Sequence, residues 1–231
     1  MLFRPIIWIS RKEVNGKFSK ATNPYNPLNN DNNNFAFSTN SDGSKLIISS
    51  NIGDDKTPQL AYSSNSENKR SELNKFDFVD LNKESSLVSY SLSQGQNLMF
   101  VSMEREDSYG GLDIYYSKKV NGEWSELVNF GPTINTAANE ISPFIANDNQ
   151  TLYFATDGWP GYGEMDLFVS RFDDENKHWS QAINLGSKIN TEGWEAYLKI
   201  SSSNNQVYFV STTNSMGAED IFTIERQNQH F

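Results

Sequence analysis

An all-β fold, a β-propeller of four-stranded antiparallel blades, is predicted by three observations. The first is a copied phrase. "GPTINTAANEISPF", Gly131 to Phe144, returns as "GSKINTEGWEAYLK", Gly186 to Lys199; Trp124 to Trp179, Asn135 to Asn190, Thr136 to Thr191 and Glu140 to Glu195 all differ by 55. The second is a period in strand-like runs: "KLIISSN" from Lys45, "NLMFVSM" from Asn97, "TLYFATD" from Thr151 and "QVYFVST" from Gln206 follow at steps of 52, 54 and 55. A repeat of this length made of short β-branched and aromatic runs is the signature of stacked supersecondary units. The third is composition: aromatics are 13% of a chain that is 36% apolar, which places burial on Tyr, Phe and Trp and favours sheets.

Each blade is legible in order. A first strand, seen as "FAFST", "LVSYSLS", "SPFIA" and "AYLKIS", is joined to the second by a tight polar turn, "NSDGS", "SQGQ", "NDNQ" or "SSNN", so the pair is a hairpin. A longer Gly-bearing loop leads to a third strand, "QLAYSS" at Gln59, "DIYYSK" at Asp113, "DLFVSR" at Asp166 and "DIFTIE" at Asp220. A turn such as "VNGEW" then opens the fourth strand, which carries Trp124 or Trp179. Four antiparallel strands per unit, with no helical apolar period between them, describe a propeller blade. A β-helix has shorter coils, and a sandwich does not repeat its sequence.

The first residues belong to the same series. "IIWISRKEVNGKFSKA" matches "DIYYSKKVNGEWSELV" with Asn15 to Asn121, Gly16 to Gly122 and Phe18 to Trp124 each 106 apart, twice 53. The chain is expected to be one propeller domain over 1–231, with repeats at 1–33 (partial), 34–85, 86–140, 141–195 and 196–231 (partial). That is four to five blades. Two readings of the ends stay open: "GKFSKA" completes the last blade, or the residues are part of a larger propeller. In 65–85, "NSENKRSELNKFDFVDLNKES" has neither the Trp nor the "INT" turn, so the outer half of that blade is undefined.

The formal charge of -10 opposes nucleic-acid binding, which needs clustered Lys and Arg to displace counterions. With no cysteine there is no disulfide framework and no thiolate nucleophile. The start, "MLFRPIIWIS", reads as a strand rather than a signal peptide, because Arg4 and Pro5 break its apolar run and no small-residue cleavage site follows. No window approaches the roughly 20 apolar residues that span a bilayer.

The phrases "DGWPGYGEMDLFVSR", "HWSQAINLGSKINTEGWE" and "SYGGLDIYYSKKVNGEWSELVNFGPTINTAANEISPF" resemble the TolB-type, WD-like propeller repeats of bacterial cell-envelope proteins, including those fused to OmpA-like domains. The resemblance is closest over residues 97 to 226. It implies a periplasmic or cell-envelope setting and an envelope or peptidoglycan-associated partner. No OmpA-like stretch lies within these residues, so peptidoglycan anchoring is not carried over.

In a propeller the loops between second and third strands, and those from blade to blade, share one face. Here they are the long ones, "EREDSYGGL", "GWPGYGEM", "TNSMGAE" and the two "INT" connections, and long loops on a rigid scaffold are where binding resides. The candidate binding residues are Tyr109, Trp159 and Tyr162, with Asn135, Glu140, Asn190, Trp194 and Glu195. The "INT…E" residues, Thr136 and Thr191 included, have two readings. They line a channel mouth for a peptide or cation, or they satisfy backbone groups in their own turns. Asp113, Asp166 and Asp220 are expected to cap the start of the third strand; lying in different blades, they do not form a calcium site. Trp159, Pro160 and Tyr162 in one long loop, with Trp194 and Tyr109 in neighbouring ones, are expected to depart from the repeat and give specificity. Trp159 and Trp194 have packing between blades as their other reading.

No nucleophile elbow of the Gly-x-Ser-x-Gly type accompanies His178 or His230, and "SDGSKL" lacks the Thr-Trp ending of a sialidase Asp-box. The expectation is a non-catalytic propeller, without cofactor or metal, that binds a protein or peptide through its long-loop face. A carbohydrate-binding or sialidase-like propeller is the alternative.

Overall fold

The computed structural model describes residues 6–24, 27–30, 34–39, 44–50, 59–66, 69–76, 89–93, 95–201, 203 and 206–225. The described chain is all-β, with four antiparallel sheets that are the blades of a β-propeller, and no helix. It divides into two compact units, Met1–Phe78 and Val79–Phe231.

The first unit holds one sheet. β1 (Phe35–Thr39), β2 (Lys45–Ser50) and β3 (Gln59–Ser66) pair in order, and the outer strands β4 (Lys69–Arg70) and β5 (Asn74–Lys75) both pair with β3. The blade therefore has an outer half, although its sequence lacks the Trp that marks it elsewhere. Before it lies a hairpin bridged at Ile9 with Thr22 and Lys12 with Phe18, turned at Gly16 with φ +80°. Ile7 and Leu28 bury against Ile48 and Ala61 of the sheet.

The second unit holds three sheets. β6 (Ser89–Leu92), β7 (Leu98–Met103), β8 (Asp113–Val120), β9 (Glu123–Trp124) and β10 (Val128–Asn129) form one blade. β11 (Glu140–Ile145), β12 (Thr151–Thr156), β13 (Asp166–Asp173), β14 (His178–Trp179) and β15 (Ile183–Asn184) form the next. The third is β16 (Glu195–Ile200), β17 (Gln206–Ser211) and β18 (Asp220–Glu225). The turns explain the register: Asn121 and Gly122 take φ 53° and 90° between β8 and β9, and Asn149 takes φ 57° between β11 and β12, the conformations that tight hairpins favour.

The core lies between blades. Phe100, Ile114 and Ile134 meet Ile145, Leu152, Phe154 and Phe168. On the far side of the middle blade, Ile141, Tyr153 and Leu167 meet Ala196, Leu198, Val207 and Phe209. Strand alternation lets each sheet bury both faces in this way, and all six residues of β12 are buried. Trp179 of β14 closes the first of these layers, its ring 5.3 Å from Phe130 and 6.4 Å from Phe100.

The inner strands are also tied to one another. β11 packs between β6 and β16, and its register shifts between Ile141 and Phe144, as that of β16 does between Ala196 and Lys199. Each shift is a bulge that contains a left-handed residue, Ser142 at φ 52° and Tyr197 at φ 55°. A bulge frees a backbone N–H from its own ladder. The Ser142 N–H donates to Ser89 Oγ at 2.9 Å, and the Tyr197 N–H to Ser142 Oγ at 3.0 Å, so one strained position links three blades.

Candidate functional site

The long-loop side of the second unit is built outward from three aspartates, each the first residue of a third strand. Asp113 Oδ2 accepts the Tyr109 N–H at 2.8 Å and the Asn129 side-chain amide at 2.7 Å. Asp166 Oδ2 accepts the Tyr162 N–H and the Asn184 amide. Asp220 Oδ2 accepts the Met216 N–H at 2.6 Å. A carboxylate four residues ahead thus fixes the tip of each loop, a strong bond because the acceptor is charged. Asp113 and Asp166 are buried, and Oδ1 of each has no hydrogen-bond partner among the described residues.

The tips carry large apolar side chains. Tyr109 and Tyr162 are each 54% exposed and Met216 is 98% exposed. Tyr109 and Tyr162 therefore do not depart from the repeat: Tyr109, Tyr162 and Met216 occupy one position in three successive blades. Met216 was missed by sequence reasoning because a methionine does not look like a copied tyrosine; its distance from Asp220 was the signal.

The "INT…E" residues sit beneath these tips and are consumed locally. Asn135 pairs with the Ile114 backbone, Oδ1 accepting the N–H at 2.9 Å and Nδ2 donating to the carbonyl at 3.0 Å, and Nδ2 also reaches Asn129 Oδ1. Asn190 repeats this on Leu167 and Asn184. Glu140 accepts the Thr136 N–H and the hydroxyls of Thr136 and Thr156, and Glu195 accepts the same set from Thr191 and Ser211. All four are buried, so in this arrangement they brace the loops and present no polar atom at the surface.

Burial pushes the Glu140 carboxyl above the ordinary carboxylate range. The hydrogen bonds from Thr136 and Thr156 pull the other way, and nearby Asp113 adds to the rise. A proton-retaining carboxyl is a property of general acids, yet Glu140 is sealed from solvent. Lys199, half-buried on β16 with its ammonium 5.0 Å from the centroid of Phe144, is lowered by burial to about 8. Among the described residues no three His, Cys, Asp or Glu side chains gather as a cation site, and no helix is long and apolar enough to cross a membrane.

The two candidate tryptophans are half-buried. Trp159 packs on the layer around Phe154 and its indole N–H points to the Ile134 carbonyl at 3.4 Å. Trp194 packs on the layer around Leu167, with its ring 5.8 Å from Tyr197. Both have the packing role among their surroundings. Tyr197, 40% exposed, was not singled out from the sequence; only its left-handed backbone marks it. His178 lies in β14, and His230 lies outside the described residues.

No protein-family profile matches the chain, and no curated protein matches it. Solved structures do. A B. megaterium levansucrase mutant is 10% identical, with 96% of this chain and 70% of that one covered and a TM-score of 0.51. A gluconolactonase from Xanthomonas campestris is 12% identical over 87% of this chain and 60% of that one, with a TM-score of 0.45. A prolyl endopeptidase is 13% identical over 93% and 30%, with a TM-score of 0.43. The chain thus spans less than two thirds of the endopeptidase and of the gluconolactonase. At such identities the likeness shows the propeller fold and nothing finer.

One expectation is corrected by these likenesses. The sequence predicts a non-catalytic chain, but the levansucrase, whose TM-score to this chain is 0.51, is an enzyme that shares the fold. The fold therefore gives no ground for excluding catalysis.

Proposed function

We propose that this propeller docks a protein or peptide partner on its long-loop face, at the row formed by Tyr109, Tyr162 and Met216. The observation that carries the reading is the repetition itself. Three successive blades each expose a large apolar side chain at one loop position, and each tip is held by an aspartate. Solvent-exposed aromatics on rigid loops bury large areas at low entropic cost, which is how interface anchors work. Braced loops also imply little backbone change on binding. The cell-envelope setting implied by the repeat phrases belongs to the same proposal and is checked by fractionating the source cells.

The test is a Tyr109→Ala/Tyr162→Ala variant. Both rings are exposed, so the variant is expected to melt within a few degrees of the parent, as surface changes usually do. Affinity capture from an extract of the source cells should retain a defined partner with the parent and lose it with the variant. An unchanged set of captured proteins would remove the proposal. Capture of glycans in place of proteins would move the assignment to the carbohydrate-binding alternative.

A further inference from the structure

The chemistry of the partner can be read from what surrounds the row of anchors. The loop 104–112 carries Glu104 and Glu106, the loop 157–165 carries Asp157 and Glu164, and Glu192 and Glu219 stand in the neighbouring connections; all six are exposed. None has an ion-pair partner among the described residues. Cations in these stretches are few. Arg105 is held by Asp107 at 3.4 Å, and Lys188 is the other. The connection 130–139 between the two tyrosine loops has no charge at all.

From this arrangement we infer that the face is specific for a basic peptide segment whose Arg or Lys side chains lie over Tyr109 and Tyr162 and reach the surrounding carboxylates. This inference rests on the docking reading above. Two independent features of the face agree on the sign of the charge. Exposed tyrosine rings attract cations through their negative faces, and rim carboxylates that have no cationic partner among the described residues, Asp157 among them though it accepts from the Asn139 amides, steer a cationic partner and suppress an acidic one. An acidic or neutral apolar segment would satisfy the rings and leave the carboxylates facing like charge or nothing. Met216 provides a flexible apolar contact for the stems of long cationic side chains.

The experiment is fluorescence anisotropy on the full chain with a dye-labelled Arg-Gly-Ser repeat peptide and its Glu-Gly-Ser counterpart. The basic peptide is expected to bind, with an affinity that falls as salt is added, and the acidic one is not. A loop-face variant, Glu104→Gln/Glu106→Gln/Glu164→Gln/Glu219→Gln, should bind the basic peptide roughly tenfold more weakly, and Tyr109→Ala/Tyr162→Ala should lose a similar factor.

A control neutralises four exposed carboxylates away from that face, Glu123→Gln/Glu126→Gln/Asp174→Asn/Glu175→Gln, with the same change in net charge. It should bind as the parent does. Equal weakening in the control would assign the binding to bulk charge and overturn the inference, as would equal binding of the acidic peptide. If the tyrosine variant loses its cellular partner while the parent ignores both peptides, the docking face stands and the basic chemistry is wrong.

Discussion

Glu140 shows how much of a residue's role a repeat can conceal. The sequence marks it, with Glu195, as a copied acid after a copied "INT", and leaves open whether it faces a ligand or its own turn. The three hydrogen bonds that converge on its carboxylate answer this, and the spacing of Thr136 and Glu140 in sequence does not contain that answer, because the third donor, Thr156, comes from a different strand. Burial holds its proton more tightly in the folded protein than in the unfolded chain. The folded state therefore binds more protons across the interval from the ordinary glutamate range up to the raised value, and the unfolding free energy falls as pH rises through that interval. Glu140→Gln cannot ionise, so urea unfolding at a series of pH values should show a flatter dependence there than the parent, even if the variant is less stable throughout by about 1 to 3 kcal/mol from lost acceptor geometry. Identical slopes would mean that the carboxyl does not titrate as the surroundings demand. Tyr109 and Tyr162 were legible as candidates, whereas their kinship with Met216 was not, since position relative to the aspartate and not residue type is what is copied.

The loops between second and third strands show why one glycine in a repeat matters and its copy does not. Gly110, Gly163 and Gly217 each stand three residues before a third-strand aspartate. A Cβ on Gly110 would collide with the backbone of Ala137 and Ala138, and one on Gly163 with the backbone from Thr191 to Gly193, whereas one on Gly217 would meet nothing within 4 Å. The first two glycines let a loop lie against the connection into the next blade, where Glu164 N–H bonds the Gly193 carbonyl at 3.0 Å. Because the obstructing atoms are backbone they cannot swing aside. Gly163→Ala should lower stability by about 1 to 3 kcal/mol, as overpacking does, while Gly217→Ala should stay within about 0.5 kcal/mol of the parent. Thermal melts of the two variants check this, and equal losses would show that loop entropy, not close approach, governs the position. Strands of this kind were readable from alternation and turn residues throughout. The short outer strands β4 and β5 were not, because two-residue pairings on β3 leave no periodic signal and no Trp marks them.

At the scale of the molecule, the blade architecture was the most legible property, since a period of about 53 residues with strand chemistry has few other solutions. The inner-strand bulges were not, because neither Ser142 nor Tyr197 is a residue that sequence rules place at positive φ. Stability should be graded across the second unit. β12 and the first five residues of β13 are buried, whereas β18 alternates and leaves Ile221 exposed with no outer strand among the described residues. Native-state hydrogen exchange should find the amides of β12 slower than those of β18 by on the order of a hundredfold or more; uniform protection would contradict the grading. The chain of bulges has a last consequence, and it concerns time. Ser89 supplies the acceptor for the Ser142 N–H, and Ser142 supplies it for Tyr197, so every donor waits on an acceptor that precedes it in the chain. A polypeptide leaving the ribosome N-terminus first has each acceptor available before the strand that needs it is made. A blade that docks in the order of its synthesis then finds its seat already cut.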